Sequence, residues 1–310
     1  MVFGNRIRTL ARRLWIVGAV SSLLGIAACS SGSSSPPAPP PPPPPPDTLE
    51  SRLSASVALV HSDPAVQTFL QQPGSGWVEA WFNFPDTLAD DVWFGIDQEL
   101  IEGVDDPNTF AGADWMGLIA VNRSGQLGTP VGSAASHAGT PDDAQDWNIQ
   151  DMGVTLQPDT WYRLRGEVDF DTRTFTRMEL EGPGVNVSVD LSGLLLSYPN
   201  YAPFDDSFLT YYVFSLRAAE FAGPGTTVVY FDDVEGGIET ATGPLTVFTD
   251  GFETQSVFED IPVSLPVIPL ANVTESLWYK ERDEAIISTS NSRQRSGNFS
   301  LACDATLIDQ

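Results

Sequence analysis

The sequence has 310 residues, with 15 Lys and Arg against 41 Asp and Glu, and its formal net charge is −26 at pH 7. A surface this acidic repels polyanions, which disfavours nucleic acid and anionic lipid headgroups as partners. Only two cysteines are present, Cys29 and Cys303, so no disulfide framework supports the fold.

Residues 1–28 have the features of a bacterial export signal. Four arginines precede an apolar stretch of about 14 residues, which suits a signal peptide and is too short to span a bilayer. Ile26-Ala27-Ala28-Cys29 resembles the lipobox of bacterial lipoproteins, in which the leader is cut before an acylated cysteine. The resemblance implies lipidation at Cys29 and a membrane partner, whereas an ordinary secretory peptide is the alternative. Because Ser30 stands where an Asp would retain such a protein in the inner membrane, the resemblance implies an outer-membrane lipoprotein of the bacterial envelope.

Residues 29–46 form a Ser- and Pro-rich segment that cannot bury a core. The proline run Pro39–Pro46 is expected to adopt a polyproline II conformation, which makes a stiff spacer of roughly 25 Å. The segment therefore predicts a tether that lifts a domain away from the membrane.

Residues 47–76 predict a short helical lead. Asp47-Thr48-Leu49-Glu50 resembles a capping box, and the apolar residues behind it recur at helical spacing. A second helix is predicted to begin near Pro64 and to end before Pro73-Gly74.

Residues 77–243 change to short runs of period two, separated by Gly, Pro, Asp and Asn clusters, which indicates strands. Eight or more antiparallel strands in about 160 residues favour a mostly β fold, a two-sheet sandwich of the jelly-roll or concanavalin A-like kind. The predicted strands are Trp77–Phe84, Val92–Asp97, Trp115–Asn122, Trp161–Phe170, Thr174–Glu181, Val185–Asp190, Thr210–Arg217 and Thr227–Val234.

Alternation within two of these runs predicts which side chains are buried. In the first run Val78, Ala80, Phe82 and Phe84 share the core face, and Trp77 and Trp81 lie on the other face. In the run that starts at Trp161, the outward face carries a row of alternating charges, which are Arg163, Arg165, Glu167 and Asp169.

Two segments carry a resemblance to known sandwich families. Trp161-Tyr162, with an Asp-containing turn after the strand, resembles a strand of laminin-G-like and concanavalin A-like domains. Tyr230-Phe231-Asp232-Asp233-Val234 is similar to the closing strand of many bacterial carbohydrate-binding jelly rolls. The second resemblance implies that Asp232 or Asp233 could hold a structural calcium, and no other cofactor is expected.

Residues 244–310 resemble the start of a second module of this kind. Phe252-Glu253 resembles its opening strand, and Arg295-Ser296-Gly297 with the apolar run after it resembles a later one. No Asp-Asp-Val strand follows. The segment is therefore either a partial second module or a set of strands that pack on the first sandwich.

A catalytic interpretation rests on Glu167-Val168-Asp169-Phe170-Asp171. This segment superficially resembles the strand of laminarinase-type glycoside hydrolases in which the two outer carboxylates react and the middle Asp tunes them. Retaining chemistry needs two carboxyl groups about 5 Å apart. The non-catalytic alternative is an exposed sheet face with cross-strand ion pairs.

A binding interpretation rests on Trp77 and Trp81, which lie about 13 Å apart on one face of a strand and could form a platform for a sugar ring. Three functions therefore remain open. We expect a surface lipoprotein that binds glycan or another surface polymer without catalysis, and the alternatives are a polysaccharide-cleaving enzyme and a structural or adhesive envelope protein. An open groove over the tryptophans or over the charged row would distinguish them.

Overall fold

The computed structural model describes residues 48–56, 64–102, 114–135, 147–197, 207–218, 224–253, 278–280 and 286–304. The predicted signal peptide, Cys29 and the proline tether lie outside these residues. Among the described residues, no helix is long and apolar enough to cross a membrane.

The described chain consists of strands and one helix. The helix is α1 (Pro64–Gln71). The strands are β1 (Thr48–Ser56), β2 (Ser75–Asn83), β3 (Trp93–Ile101), β4 (Asp114–Met116), β5 (Ile119–Asn122), β6 (Gln126–Pro130), β7 (Trp147–Asp151), β8 (Tyr162–Asp169), β9 (Thr174–Gly182), β10 (Val185–Asp190), β11 (Phe208–Ala218), β12 (Val229–Thr240), β13 (Gly243–Asp250), β14 (Trp278–Lys280), β15 (Ile286–Ser290) and β16 (Ser300–Asp304).

The strands form two antiparallel sheets, which confirms the predicted two-sheet sandwich. Sheet A has the order β14-β1-β11-β3-β5-β6-β7, and β4 also pairs with β3. Sheet B has the order β10-β9-β8-β2-β12-β16-β15, and β13 also pairs with β12. Neighbours such as β11 and β3, or β2 and β12, are far apart in sequence, so the topology is not a simple meander.

The core lies between the sheets, where the period-two pattern placed it. Val78, Ala80, Phe82 and Phe84 of the β2 region are fully buried, as predicted. The Phe82 ring lies 5.0 Å from that of Phe94 in the opposite sheet, centroid to centroid. Burying a side chain of this size stabilises the fold by about 1.5 to 3 kcal/mol, so these aromatic residues hold the two sheets together.

Of the two helices predicted in residues 47–76, the first is wrong. Residues 48–56 form strand β1, which pairs with β11 over nine residues from Thr48 opposite Ala218 to Ser56 opposite Thr210. Apolar residues at helical spacing also fit a strand, and pairing with a distant strand overrides local propensity. The second predicted helix is confirmed as α1, and its Phe69 packs edge-on against Phe170 at 6.3 Å, which closes one end of the core.

The predicted strand Trp115–Asn122 is divided into β4 and β5 at Gly117. The Gly117 N–H donates to the Gln98 carbonyl at 2.8 Å. A Cβ at position 117 would also lie 2.8 Å from that oxygen, so only glycine allows this approach.

Strands from the C-terminal segment lie in the same two sheets. β13 forms a hairpin with β12, and β16 pairs with the start of β12, where Cys303 lies opposite Val229. β14 pairs with β1 in sheet A. Cys303 is fully buried in the core between the sheets, as a free cysteine.

Candidate functional site

The outer face of sheet A carries a second apolar cluster, separate from the core between the sheets. The antiparallel registers place Trp93, Gly95 and Ala120 on this face. Most of the cluster is buried, although it faces away from the core. Its members are Met116, Leu118, Ala120, Phe214 and Leu216, with Trp93 and Trp147 packed against it.

The cluster reaches the surface at an aromatic patch, which we define as Trp93, Trp147 and Ile149 around Gly128. The two indole rings are partly exposed, with centroids 6.3 Å apart and planes tilted by 35°. A Cβ at Gly128 would lie 3.0 Å from the Trp147 ring and 3.1 Å from the Trp93 ring, so glycine lets both rings rest close to the β6 backbone. Ile149, opposite Gly128 on edge strand β7, is 37% exposed, the one exposed large hydrophobic side chain among the described residues.

Polar side chains border the patch where β5 turns into β6. The Asn122 Nδ2 donates to Gln126 Oε1 at 2.8 Å, and the Gln126 backbone N–H donates to Asn122 Oδ1 at 3.1 Å. Asn122 lies opposite Trp93, and Gln126 lies opposite the exposed Asp151. An apolar ring surface with amide and carboxylate groups at its rim is the usual composition of a small-molecule site.

Further along β3, the same outer face carries two acidic residues. Asp97 and Glu99 are both fully buried and lie two strand steps apart, about 7 Å between Cα atoms. Their register partners on β11 are Tyr212 and Thr210. Two buried carboxyl groups therefore share this outer face, at a place that the catalytic interpretation of the sequence did not select.

Trp77 lies on the outer face of sheet B but is not open to solvent. It is 4% exposed, and the Arg165 guanidinium lies 4.2 Å from the centroid of its ring. Gly237 of β12 lies against the ring, because a Cβ there would come within 2.5 Å of it. A sugar could stack on Trp77 only after Arg165 had moved away.

Arg165 belongs to a network of charges on β2, β8 and β9. It contacts Glu79 at 2.9 Å and Glu167 at 3.0 Å, and Arg177 contacts Glu167 at 2.9 Å. Arg163 adds contacts to Glu79, Glu179 and Glu181 at 3.1 to 3.3 Å. The predicted row of charges is therefore a set of cross-strand ion pairs.

The three predicted catalytic carboxylates do not converge. Burial raises the pKa of Glu167, but hydrogen bonds from Arg177 and Arg165 more than offset this effect and hold the pKa below its ordinary value. Asp169 accepts hydrogen bonds from the backbone N–H groups of Asp171 and Thr172 at 2.9 and 3.2 Å, so it caps the β8–β9 turn. Asp171 is exposed in that turn.

Trp81 is covered by a segment that we call the C-terminal strap, residues 291–299. The Arg295 guanidinium of the strap lies 3.7 Å from the centroid of the Trp81 ring, and that of Arg293 lies 5.5 Å from the Tyr230 ring. Guanidinium groups at these distances interact favourably with the ring faces. The second tryptophan of the predicted platform is thus engaged with this chain's own arginines.

The two aspartates predicted to bind calcium hold this strap. Asp232, fully buried, accepts hydrogen bonds from the backbone N–H groups of Asp233, Arg295 and Ser296 at 2.8 to 3.2 Å. Burial raises the pKa of Asp232, and the negative charge of the neighbouring Asp233 raises it further. The Asp233 carboxylate contacts the Arg295 guanidinium and accepts a hydrogen bond from Ser296 Oγ at 2.8 Å. Within the part of the chain that the structure describes, no group of three or more His, Cys, Asp or Glu residues is placed to hold a metal ion.

Glu253 fixes the other end of the strap. It accepts hydrogen bonds from the backbone N–H groups of Asn298 and Phe299 at 2.9 and 2.8 Å, which lower its pKa. Three segments that resemble parts of two different modules therefore lie together on sheet B. They are Asp232-Asp233-Val234, Phe252-Glu253 and Arg295-Ser296-Gly297.

Comparisons with known proteins give no family. No family model matches the sequence, and no curated protein matches it.

Among solved structures, a family 7 alginate lyase in complex with substrate is 14% identical, with a TM-score of 0.30 over 53% of this chain and 60% of that one. Scytalido-glutamic peptidase with a peptide-based transition state analogue is 10% identical, with a TM-score of 0.29 over 76% of this chain and 97% of that one. A Bacteroides ovatus mixed linkage glucan PUL GH16 in complex with product is 16% identical, with a TM-score of 0.24 over 46% and 56%. The chain spans about 60% of the length of that alginate lyase. Similarity at this level assigns no activity, and the sandwich assignment rests on the strand pairing described above.

Proposed function

We propose that this protein is a non-catalytic glycan-binding lipoprotein that engages its ligand at the aromatic patch. The supporting observation is the partly exposed Trp93–Trp147 pair at the edge of sheet A, with exposed Ile149 beside it. A pyranose ring has an apolar C–H face that stacks on an indole, and hydroxyl groups that bond to amides at the rim. The partly exposed Gln126 carries an amide at this rim, and the buried Asn122 holds it by a hydrogen bond of 2.8 Å.

The sequence supports an envelope location for this site. We propose that Cys29 is lipidated and that the proline tether holds the sandwich roughly 25 Å from an outer-membrane surface. A polymer at that surface would reach the patch, whereas the acidic charge would keep the sandwich off anionic headgroups. In cells with intact lipoprotein processing, Cys29→Ala should move the protein from the membrane fraction to the soluble fraction.

A glycan array with the tethered sandwich tests the binding function. We expect binding to at least one class of polysaccharide, and loss of at least about tenfold in affinity for Trp147→Ala because an aromatic contact at the centre of an interface contributes heavily. Trp161→Ala is the matched control, since Trp161 is also partly exposed but lies outside the patch. A blank array with folded protein, or equal losses in both variants, would contradict the proposal.

A second candidate function, cleavage of a polysaccharide, rests on the Asp97 and Glu99 pair. Two carboxyl groups on one face of a strand can serve as acid and nucleophile when they are about 5 Å apart. Both side chains are fully buried, so a polymer would need an opening of this face to reach them. Release of reducing ends that disappears in Glu99→Gln would support cleavage, and release that persists in that variant would remove this mechanism.

A further inference from the structure

The charged side chains around the aromatic patch indicate whether its ligand is charged. From the proposed glycan-binding function, on which this inference rests, we infer that the ligand is an uncharged polysaccharide and not a polyuronate.

The strands that carry the patch, β3, β5, β6 and β7, place no basic residue on the outer face of sheet A. Arg52 of β1 lies on that face opposite Phe214 of β11, two strands from β3. The registers place only apolar, amide, hydroxyl and acidic groups there between β11 and β7. The charged side chains that the structure describes between β11 and β7 are three carboxylates, the buried Asp97 and Glu99 and the exposed Asp151. A polyuronate carries one negative charge per sugar, and no described side chain on the strands of the patch would compensate that charge.

Arginines elsewhere do not supply this compensation either, because each one whose side chain the structure describes already has a carboxylate partner. Arg123 follows Asn122 and is the arginine next to the patch in sequence. Its Nε lies 3.5 Å from Asp90, and its guanidinium donates to the backbone carbonyls of Asp86 and Leu88. The ion-paired arginines are Arg123, Arg163, Arg165, Arg173, Arg177, Arg217, Arg293 and Arg295.

The exposed part of the patch has the composition that an uncharged sugar requires. Trp93, Trp147 and Ile149 offer apolar surface, and Gln126, held by the buried Asn122, offers an amide group. The net charge of −26 adds long-range repulsion of any polyanion. Stacking and neutral hydrogen bonds are insensitive to salt, so binding should be the same at low and high ionic strength.

Affinity electrophoresis with matched polymers tests the inference on the tethered sandwich. Hydroxyethyl cellulose, galactomannan and mixed-linkage glucan are the uncharged probes. The charged ones are carboxymethyl cellulose, alginate and polygalacturonate, which are anionic, and chitosan, which is cationic. We expect retardation by at least one uncharged probe, unchanged between about 0.05 and about 0.5 M salt, and none by the charged probes. Retardation by a charged probe that is lost in Trp147→Ala would overturn the inference but leave the proposed function intact. Retardation by chitosan alone would also overturn it, and a panel without any retardation would contradict both.

A charge-reversal pair at Ile149 provides a second test that does not depend on removing a tryptophan. Ile149 is exposed on an edge strand, so Ile149→Lys and Ile149→Glu should both fold. An uncharged ligand should lose affinity to the same extent in both variants, by about threefold to tenfold. A gain of affinity in Ile149→Lys together with a loss in Ile149→Glu would show an anionic ligand and overturn the inference. Ser188→Lys and Ser188→Glu, at an exposed position on the edge strand of sheet B, are the matched controls and should leave affinity unchanged.

Discussion

The outer faces of the two sheets use tryptophan in opposite ways. On sheet B, Arg165 covers Trp77 and Arg295 covers Trp81, so neither ring presents a free face. On sheet A, Trp93 and Trp147 lie beside each other over Gly128, and their strands, β3 and β7, place no arginine on that face. A tryptophan ring is covered where neighbouring segments place an arginine over it, and it stays available to a ligand where they place a glycine beside it. Four variants and one binding comparison test this contrast.

The largest effect should come from Asp232→Ala on the closed face. Loss of the buried carboxylate leaves the backbone N–H groups of Arg295 and Ser296 without their acceptor, which should lower the free energy of unfolding by about 3 kcal/mol. The freed strap should also expose Trp81 and shift its fluorescence to longer wavelength. Urea unfolding followed by tryptophan emission measures both effects. The control is Asp171→Ala in an exposed turn, and equal losses in the two variants would contradict the role of Asp232 in holding the strap.

Arg165→Ala should have the next largest effect. It uncovers Trp77 and removes the cation from between Glu79 and Glu167, whose side chains are mostly buried. We expect a loss of about 2 kcal/mol, together with easier quenching of tryptophan fluorescence by acrylamide. Arg177→Ala is the matched control because Arg177 is more exposed, and its loss should stay below about 1 kcal/mol. Similar stability and quenching in both variants would show that Arg165 does not close this face.

Glu167→Gln should change how stability depends on pH. The pKa of Glu167 lies below its ordinary value in the folded protein, so ionised Glu167 stabilises the fold above the unfolded pKa of about 4.3. This contribution disappears as the pH falls through the lower folded pKa. The wild type should therefore exceed the variant by about 1 kcal/mol near pH 6 and equal it near pH 3. A difference that is constant over this range would contradict the ion-pair account.

Glu235→Gln should give the smallest effect, with the opposite sign. Burial raises the pKa of Glu235, and the charges of Glu79 and Asp233 raise it further, although Arg165 partly offsets them. A raised pKa means that stability is present below about pH 4 and is lost as the pH rises through the folded pKa. The variant should therefore be about 0.5 kcal/mol more stable than the wild type at pH 7 and no more stable at pH 4. Thermal unfolding at the two pH values measures the difference, and a less stable variant at pH 7 would contradict it.

Period-two alternation predicted much of the sandwich because each face of a strand has a distinct environment. It placed β2 and β8 with the correct residues in the core, and it located β10 to the residue. It failed at β1, where apolar residues at helical spacing do not reveal a pairing with β11, more than 150 residues away. It also missed β7, because Trp147–Asp151 is short and mostly polar.

The candidate site was harder to predict than the fold. Alternation correctly put Trp77 and Trp81 on an outer face, but the side chains that cover them come from β8 and from the strap, and strand register is not readable from the sequence. Trp93 and Trp147 become neighbours only because β5 and β6 lie between their strands with Gly128 at the contact. In the sequence, the aromatic patch is marked only by a strand that contains Gly128 and by the later run Trp147-Asn148-Ile149. Such a pattern is too common to select a site by itself.

The most direct test of this contrast compares one tryptophan from each face in a single binding experiment. Isothermal titration of the polysaccharide found on the array would be carried out with wild type, Trp147→Ala and Trp81→Ala. We expect a loss of at least about tenfold in affinity for Trp147→Ala and a change within about twofold for Trp81→Ala. Loss of binding in Trp81→Ala with full binding in Trp147→Ala would contradict it, because the ligand would then occupy the face that the arginines close.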